Sequence, residues 1–276
     1  MFASSDDSVP ITNFGGNIRF VPRYRYAPTT EAEVLDLLDR HAGGRVRVVG
    51  ALHSWSPAVV TEDALIDLRH FNRVAIEQGP EGKVWVTAGG GCRIKHLLRE
   101  LHAQSGATLP TMGLVTEQTI AGAISTGTHG SGRPSLSHYM DEIRVAAYDA
   151  DTGKARIYVW NEGAELRAAR CALGRMGVVL SVRFRAVPKY DVAETITPSA
   201  TLDEVWPWKT SSRCSNSSSS RTGIATWCSA VGPSRPLRPR AEAGRHGCTV
   251  RTGFWAWTSA STWWSSSWRR SWAARP

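Results

Sequence analysis

From Pro110 to Gly132 the sequence reads PTMGLVTEQTIAGAISTGTHGSG, a run dominated by Gly, Ser and Thr in which Glu117 is the one charged residue. Backbone of this kind can approach an anionic ligand closely, because small side chains leave its N–H groups uncovered. The same composition also suits an ordinary irregular loop. The run lacks the GK[ST] of a Walker A loop, and no GxGxxG opens a helix after a strand, so the dinucleotide fingerprint is missing too. TAGGG at 87–91 does not supply it. A second constellation is VVGALHSWSP at 48–57. Gly50 permits a turn after a strand, and the N–H groups of Ala51, Leu52, His53 and Ser54 can then converge on a pyrophosphate as an anion-binding nest. His53 stands at that turn with an imidazole nitrogen free to face a ligand, although a lone histidine is more often a hydrogen-bonded structural residue.

Periodicity places these two stretches between regular elements. TTEAEVLDLLDRHAGG predicts a helix: Thr29 or Thr30 caps it, acids fill its first turn, Val34, Leu37 and Leu38 form its apolar face, and Gly43 and Gly44 stop it. RVRVVG then predicts a strand that leaves into the His53 turn. Further strands are expected at 64–68, 73–77 and 83–88, with EQGPEG turning the last pair into a hairpin. GCRIKHLLRELHAQSG predicts a helix burying Ile94, Leu97, Leu98 and Leu101. Beyond the Gly/Thr run come strands at 143–149 and 155–160, a helix at 162–173, and strands at 178–186 and 190–196. This alternation predicts an α+β domain with one core.

From about residue 207 the pattern stops. Residues 209–276 carry seven of the 12 Trp and a Ser run at 217–220. Between Lys209 and Pro276 there are 11 basic residues and one acid, Glu242, so the net charge of +9 comes from this tail, and residues 1–208 are near neutral. A basic, Trp-rich tail would suit single-stranded nucleic acid, and low complexity would suit disorder. A third reading explains more. Trp has one codon, TGG, and in the frame one nucleotide earlier each TGG contributes to NTG, which encodes Leu, Met or Val. SSSWRRSW, WKTSSRCSNSS and WTSASTWW can each be written with GC-rich codons so that this earlier frame gives a sensible protein sequence. Displaced Asp and Glu codons become Thr and Ser, which accounts for the missing acids. The sequence therefore predicts a frameshift between Trp206 and Lys209, and no nucleic-acid partner is expected.

The N-terminus has acids where a secretory signal has bases, and no run of about 18 apolar residues occurs. These features predict a cytoplasmic protein, with peripheral membrane association as the alternative. Cys92 and Cys171 lie too far apart in sequence to suggest a metal pair, and no metal is expected.

Taken together, NFGGN, YAPTTEAEV, VVGALHSWSP, IDLRHFNRV, VTAGGG, TIAGAISTGTHGSG and LGRMGVVLSVRFRAVPKY resemble the aldonolactone and alditol oxidases of the vanillyl-alcohol-oxidase family, in order and spacing, over about residues 13–207. The resemblance implies a PCMH-type FAD-binding domain of two α/β subdomains over 13–190, the start of a substrate (cap) domain at 191–207, and a non-native tail at 208–276. It implies FAD as cofactor, joined covalently through His53, with Gly50, Ala51, Leu52 and Ser54 on the pyrophosphate turn. Thr119, Gly122, Thr126, Gly127 and His129 fall on the second FAD-binding segment. Gly177, Val178 and Val179 fall on a strand whose backbone lies by the flavin or adenine in relatives. For His129 and the two valines a purely structural role is an equal reading. Ala51 and Leu52 depart from the Gly-Gly or Thr-Arg of some members. The implied activity is oxidation of a CH–OH group of a sugar lactone or polyol, with molecular oxygen as acceptor and hydrogen peroxide as product. The alternative is a catalytically inactive flavin-binding fragment, because the residues that would hold the substrate should lie past the point where register is lost.

Overall fold

The computed structural model describes residues 9–130, 133–190 and 192–199, together with 201, 203, 214–220, 223–231 and 248–250. Contacts divide the chain into two compact units, one taking residues up to Gly130 and then Pro134 to Pro188, the other taking 131–133 and everything from Lys189.

The first unit opens with a short antiparallel pair, β1 (Ile11–Thr12) and β2 (Arg19–Phe20). Next come β3 (Tyr24–Tyr26), the helix α1 (Glu31–Arg40), β4 (Val46–Val49) and β5 (Ala64–Asp67). Their strands make a parallel sheet in the order β3-β5-β4. Thr30 caps α1 by accepting from the Glu33 N–H, and Glu33 reaches back to accept from the Thr29 N–H at 2.6 Å. That arrangement is close to a capping box, shifted by one residue because the Glu33 carboxylate takes the N–H of Thr29, just before the cap. The helix ends at His41, two residues before the glycines that sequence alone assigns as its stop.

The second layer is antiparallel. It comprises β6 (Val74–Gln78), β7 (Val84–Gly89), β8 (Ala107–Thr108), β9 (Met140–Tyr148), β10 (Ala155–Trp160) and β11 (Val178–Pro188), ordered β10-β9-β11-β7-β6 with β8 on the end of β11. The helices α2 (Ile94–Ser105), α3 (Ile120–Ser125) and α4 (Gly163–Ala169) pack with this sheet. Ile94, Leu97, Leu98 and Leu101 of α2 are buried, as their spacing predicts. Two readings of the sequence change. The Gly/Thr run is not irregular throughout, since α3 lies inside it with Thr119 as its cap. The helix expected over 162–173 stops at Ala169, where the Arg170 side chain turns to donate to the Met140 carbonyl and Leu173 takes a left-handed conformation.

Two apolar clusters make the core. The larger joins Leu97, Leu101, Ile120, Ile124, Ile143, Val182 and Phe184. The smaller centres on α1, whose Val34, Leu37 and Leu38 meet Ile66 and Leu68 of the parallel layer together with Ala146, Val178 and Leu180 of the antiparallel one. One helix face therefore closes both sheets, and polar ties reinforce it. Glu31 accepts from Arg144 at 2.9 Å, Tyr148 donates to the Leu38 carbonyl at 2.6 Å, and Asp39 accepts from the Ala155 N–H at 2.7 Å. The α+β organisation is thus present as the sequence predicts, although its apolar core divides into two clusters where the periodicity implies one.

The second unit contains β12 (Val192–Ser199), β13 (Cys214–Ser220), β14 (Gly223–Val231) and β15 (Cys248–Val250) in an antiparallel sheet ordered β13-β14-β12-β15. Three of these strands fall in the segment from 208, for which the sequence shows no period. The rest of the predicted tail, 232–247 and 251–276, lies outside the described residues.

Candidate functional site

β4 ends at Val49, and the next five residues form the turn predicted to hold a pyrophosphate. Leu52 has φ 55°, the left-handed conformation that favours glycine and costs a branched side chain about 1 kcal/mol or more. Its carbonyl is tied by the Phe14 N–H at 2.9 Å, a bond that offsets part of this cost. With Leu52 turned this way, the N–H groups of Ala51, Leu52 and His53 meet no acceptor among the described residues. Successive unmatched N–H groups beside a left-handed residue are what an anion-binding nest requires. Ser54 lies next in line, exposed, its hydroxyl accepting from the Ser56 N–H at 3.2 Å.

The second segment meets the first at one point. A methyl group on Gly50 would collide with the Thr119 hydroxyl, so the turn and the start of α3 touch only because residue 50 has no side chain. Thr119 uses that hydroxyl to accept from the Gly122 N–H at 3.3 Å. The helix buries Ile120, Ala123 and Ile124 and leaves Gly122 and Thr126 exposed, with the Thr126 hydroxyl donating to the Gly122 carbonyl at 3.0 Å. Gly127 has φ 67° and ends the helix by turning the chain back. His129 is exposed, its Nδ1 lying 2.9 Å from the Gly130 carbonyl, and Gly130 donates to Thr111 at 3.1 Å. His129 thus fastens its own loop.

The third predicted stretch lies beside Gly90, which in turn meets the start of α3. Gly90 donates to the Leu180 carbonyl at 2.8 Å and accepts from the Ala121 N–H at 3.2 Å, which hangs the start of α3 on β11. Gly177 has φ 118°, and a Cβ there would strike the Ala146 carbonyl. Val178 belongs to the smaller core cluster and Val179 packs against the larger one, so both side chains are core and only their backbone can serve a ligand.

Residues that pattern reasoning missed surround the turn. A cleft of about 390 Å³ opens over Gly50 and Thr119 and is lined by Asp67, Arg69, Asn72, Arg93, Lys95 and His96. Arg93 and Lys95 share the Glu117 carboxylate at 2.6 and 2.7 Å, so two cations stand on one anion. Burial pushes the Glu117 carboxyl up, but hydrogen bonds from Lys95 and Arg93, and their charges, hold it below the ordinary value. The signal in the sequence was Glu117 itself, the one charge in its run. His53 is half-buried: burial pushes its imidazole below the ordinary value, the Glu117 charge opposes this, and Arg93 adds to it. A neutral imidazole keeps a lone pair to offer. Cys92, by contrast, is buried, and burial drives its thiol up to about 12, which removes it as a nucleophile or ligand. Among the described residues no cluster of three metal-ligating side chains occurs, and no helix is long and apolar enough to cross a membrane.

The profile of the family described as FAD binding domain matches residues 22–151. A long-chain alcohol oxidase of an uncultured marine euryarchaeote is 51% identical over 193 residues, which make up 70% of this chain and 40% of that protein. The L-gulonolactone oxidase of Bos taurus is 33% identical over 205 residues, 71% of this chain and 44% of the relative. Among solved structures, the cholesterol oxidase of B. sterolicum superposes with a TM-score of 0.74 at 17% identity, covering 85% of this chain and 49% of its own. That likeness concerns the fold alone. The chain spans less than half the length of each of these proteins.

Proposed function

Residues 22–151 belong to the FAD binding domain family, and on that premise we propose that this chain is the cofactor-binding part of an FAD-dependent oxidase acting on a CH–OH group of a sugar lactone or polyol. The observation that carries the reading is the contact between Gly50 and Thr119. It brings a turn with unmatched N–H groups at residues 51–53 against the start of α3. The residues present fit a dinucleotide: the turn would take the pyrophosphate on its unmatched N–H groups, and Gly122 and Thr126 of α3 together with the backbone at 177–179 would be its further contacts. Held there, FAD would supply a two-electron acceptor for the hydride and proton lost from the CH–OH group, both of which would go on to oxygen as hydrogen peroxide.

His53 is the attachment residue in this proposal. It would exchange its N–H for a bond to the flavin 8α-methyl carbon, which gives up one C–H, while the two hydrogens and two electrons leave to oxygen as hydrogen peroxide. A covalent link prevents loss of the cofactor and makes it a stronger oxidant. Burial, which lowers the basicity of the imidazole and so favours a free lone pair, supports this role. Lactone or polyol as substrate rests on the bovine relative, whose name is a lactone oxidase. The archaeal relative's name specifies a long-chain alcohol, which shares the CH–OH chemistry and differs in everything a pocket would recognise.

The test uses the full chain expressed and purified, with its visible spectrum recorded before and after acid precipitation. Flavin absorbance that stays with the precipitate is expected, as is a His53→Ala variant that binds FAD yet releases it in acid. Peroxide release is then measured with a gulonolactone, an alditol and a long-chain alcohol in parallel. A chain that emerges colourless, and whose addition leaves the fluorescence of free FAD unchanged, would sink the reading.

A further inference from the structure

His53 makes no hydrogen bond to any described residue, so nothing of that kind fixes the plane of its ring. An imidazole left free to rotate presents its nitrogens in many directions, whereas directed chemistry needs one. The ring does have one described aromatic neighbour, Phe14, with centroids 4.7 Å apart and planes 31° apart. Phe14 is 70% exposed, so burying apolar surface does not explain its position.

The segment that carries Phe14 is bound tightly to the turn on both sides of His53. Besides the bond from the Phe14 N–H to Leu52, Asn13 Nδ2 donates to the Ser54 carbonyl at 2.9 Å and Asn17 Nδ2 to the Trp55 carbonyl at 3.2 Å. Residues 52, 54 and 55 are thus held by hydrogen bonds, while residue 53 between them has none to a described residue. Asn13 is itself 5% exposed, and its Oδ1 accepts from the Ile18 N–H at 3.0 Å while its Nδ2 also reaches Asn17 Oδ1 at 2.8 Å. A buried carboxamide bonded both within its own loop and to the turn at Ser54 ties the two together as a rigid rack. The pair β1–β2 closes the base of that loop.

We propose that Asn13 to Asn17 form a positioning clamp for His53, in which the asparagines lock the turn and Phe14, as the positioning residue, sets the plane of the imidazole toward the cofactor. The proposal rests on the reading of His53 given above, but its geometry is independent of whether a covalent bond forms. Phe14 touches no reacting atom; it restricts the ring that does. Shielding by Phe14 also removes water from one face of the imidazole, so the ring's basicity depends on the clamp.

The experiment uses the full chain labelled with 13C-histidine, with the His53 signal assigned by its loss in His53→Gln. In the native chain that signal should be displaced by the ring current of Phe14 and should titrate below an ordinary histidine. Phe14→Leu is expected to abolish the displacement and raise the midpoint, while Phe14→Trp retains both. With FAD supplied, acid-stable flavin should form about tenfold more slowly or worse in Phe14→Leu, because a small misplacement of a reacting group is costly. Reversible FAD binding and the melting temperature should stay at native values, and Phe14→Trp should restore the rate. A His53 signal and titration unchanged by Phe14→Leu would overturn the clamp. If the native chain binds FAD but never holds it through acid, the covalent reading fails and the titration alone still decides the clamp.

Discussion

Single atoms decide much of this site. Gly50 is the clearest case, since one added methyl would meet the Thr119 hydroxyl that caps α3. Gly50→Ala should cost about 1–3 kcal/mol through that overlap, and Thr119→Ala about 1 kcal/mol through loss of the cap. Because both act at one contact they should not add. The double variant is expected to be less destabilised than the sum by about 1 kcal/mol in urea unfolding, and strict additivity would show that the two loops do not touch. His53 makes a second prediction. Its folded value lies below the ordinary 6.5 because of burial, so between the two values the unfolded chain holds the extra proton and stability rises with pH. The contribution is complete above 6.5 and is lost as pH falls through the lowered folded value. Replacing His53 with Gln should remove this part of the acid slope. Urea midpoints measured between about pH 5 and 7 check it, and parallel slopes for the two proteins would refute it.

Among the elements, α1 carries more than its length suggests. A surface helix ordinarily buries one stripe against one layer, but Leu37 belongs to a cluster that includes Ile66 of one sheet and Ala146, Val178 and Leu180 of the other. Leu37→Ala should therefore cost about 2–5 kcal/mol and should loosen both layers. Hydrogen exchange is expected to accelerate in β5 and in β9 together. Faster exchange confined to β5 would show that the antiparallel layer does not depend on the helix. The short helix α3 works differently. Its six residues could not hold a helix alone, and they do so because Thr119 caps them, Ile120 and Ile124 are buried, and the Ile120 and Ala121 N–H groups bond to Cys92 and Gly90. These supports come from other parts of the chain, which is why the Gly/Thr run read as a loop.

At the scale of the whole molecule, the chain spans less than half of its relatives, and the break in composition after residue 208 is the largest discontinuity in it. The proposed frameshift predicts that the coding DNA downstream of the Pro207 codon, read one nucleotide earlier, continues the likeness to the oxidases. An alternative frame that yields no such product would end that proposal. The sequence by itself determined the type of the longer elements between residues 31 and 188, α3 and β8 excepted, because hydrophobic period depends only on neighbours along the chain. Leu97 and Leu101 on one helix face, or Ala64 to Ile66 in a buried strand, needed no knowledge of the partner surface. Motif order also singles out His53 and the two loops as the proposed cofactor site. What stands around them came from tertiary structure alone. Arg93, Lys95 and Glu117 are brought together from segments about two dozen residues apart, and Phe14 reaches His53 from nearly forty residues away. No local pattern encodes such meetings. They arise when the β1–β2 loop and the start of α2 are packed against the turn after β4, and packing is a property of the folded chain.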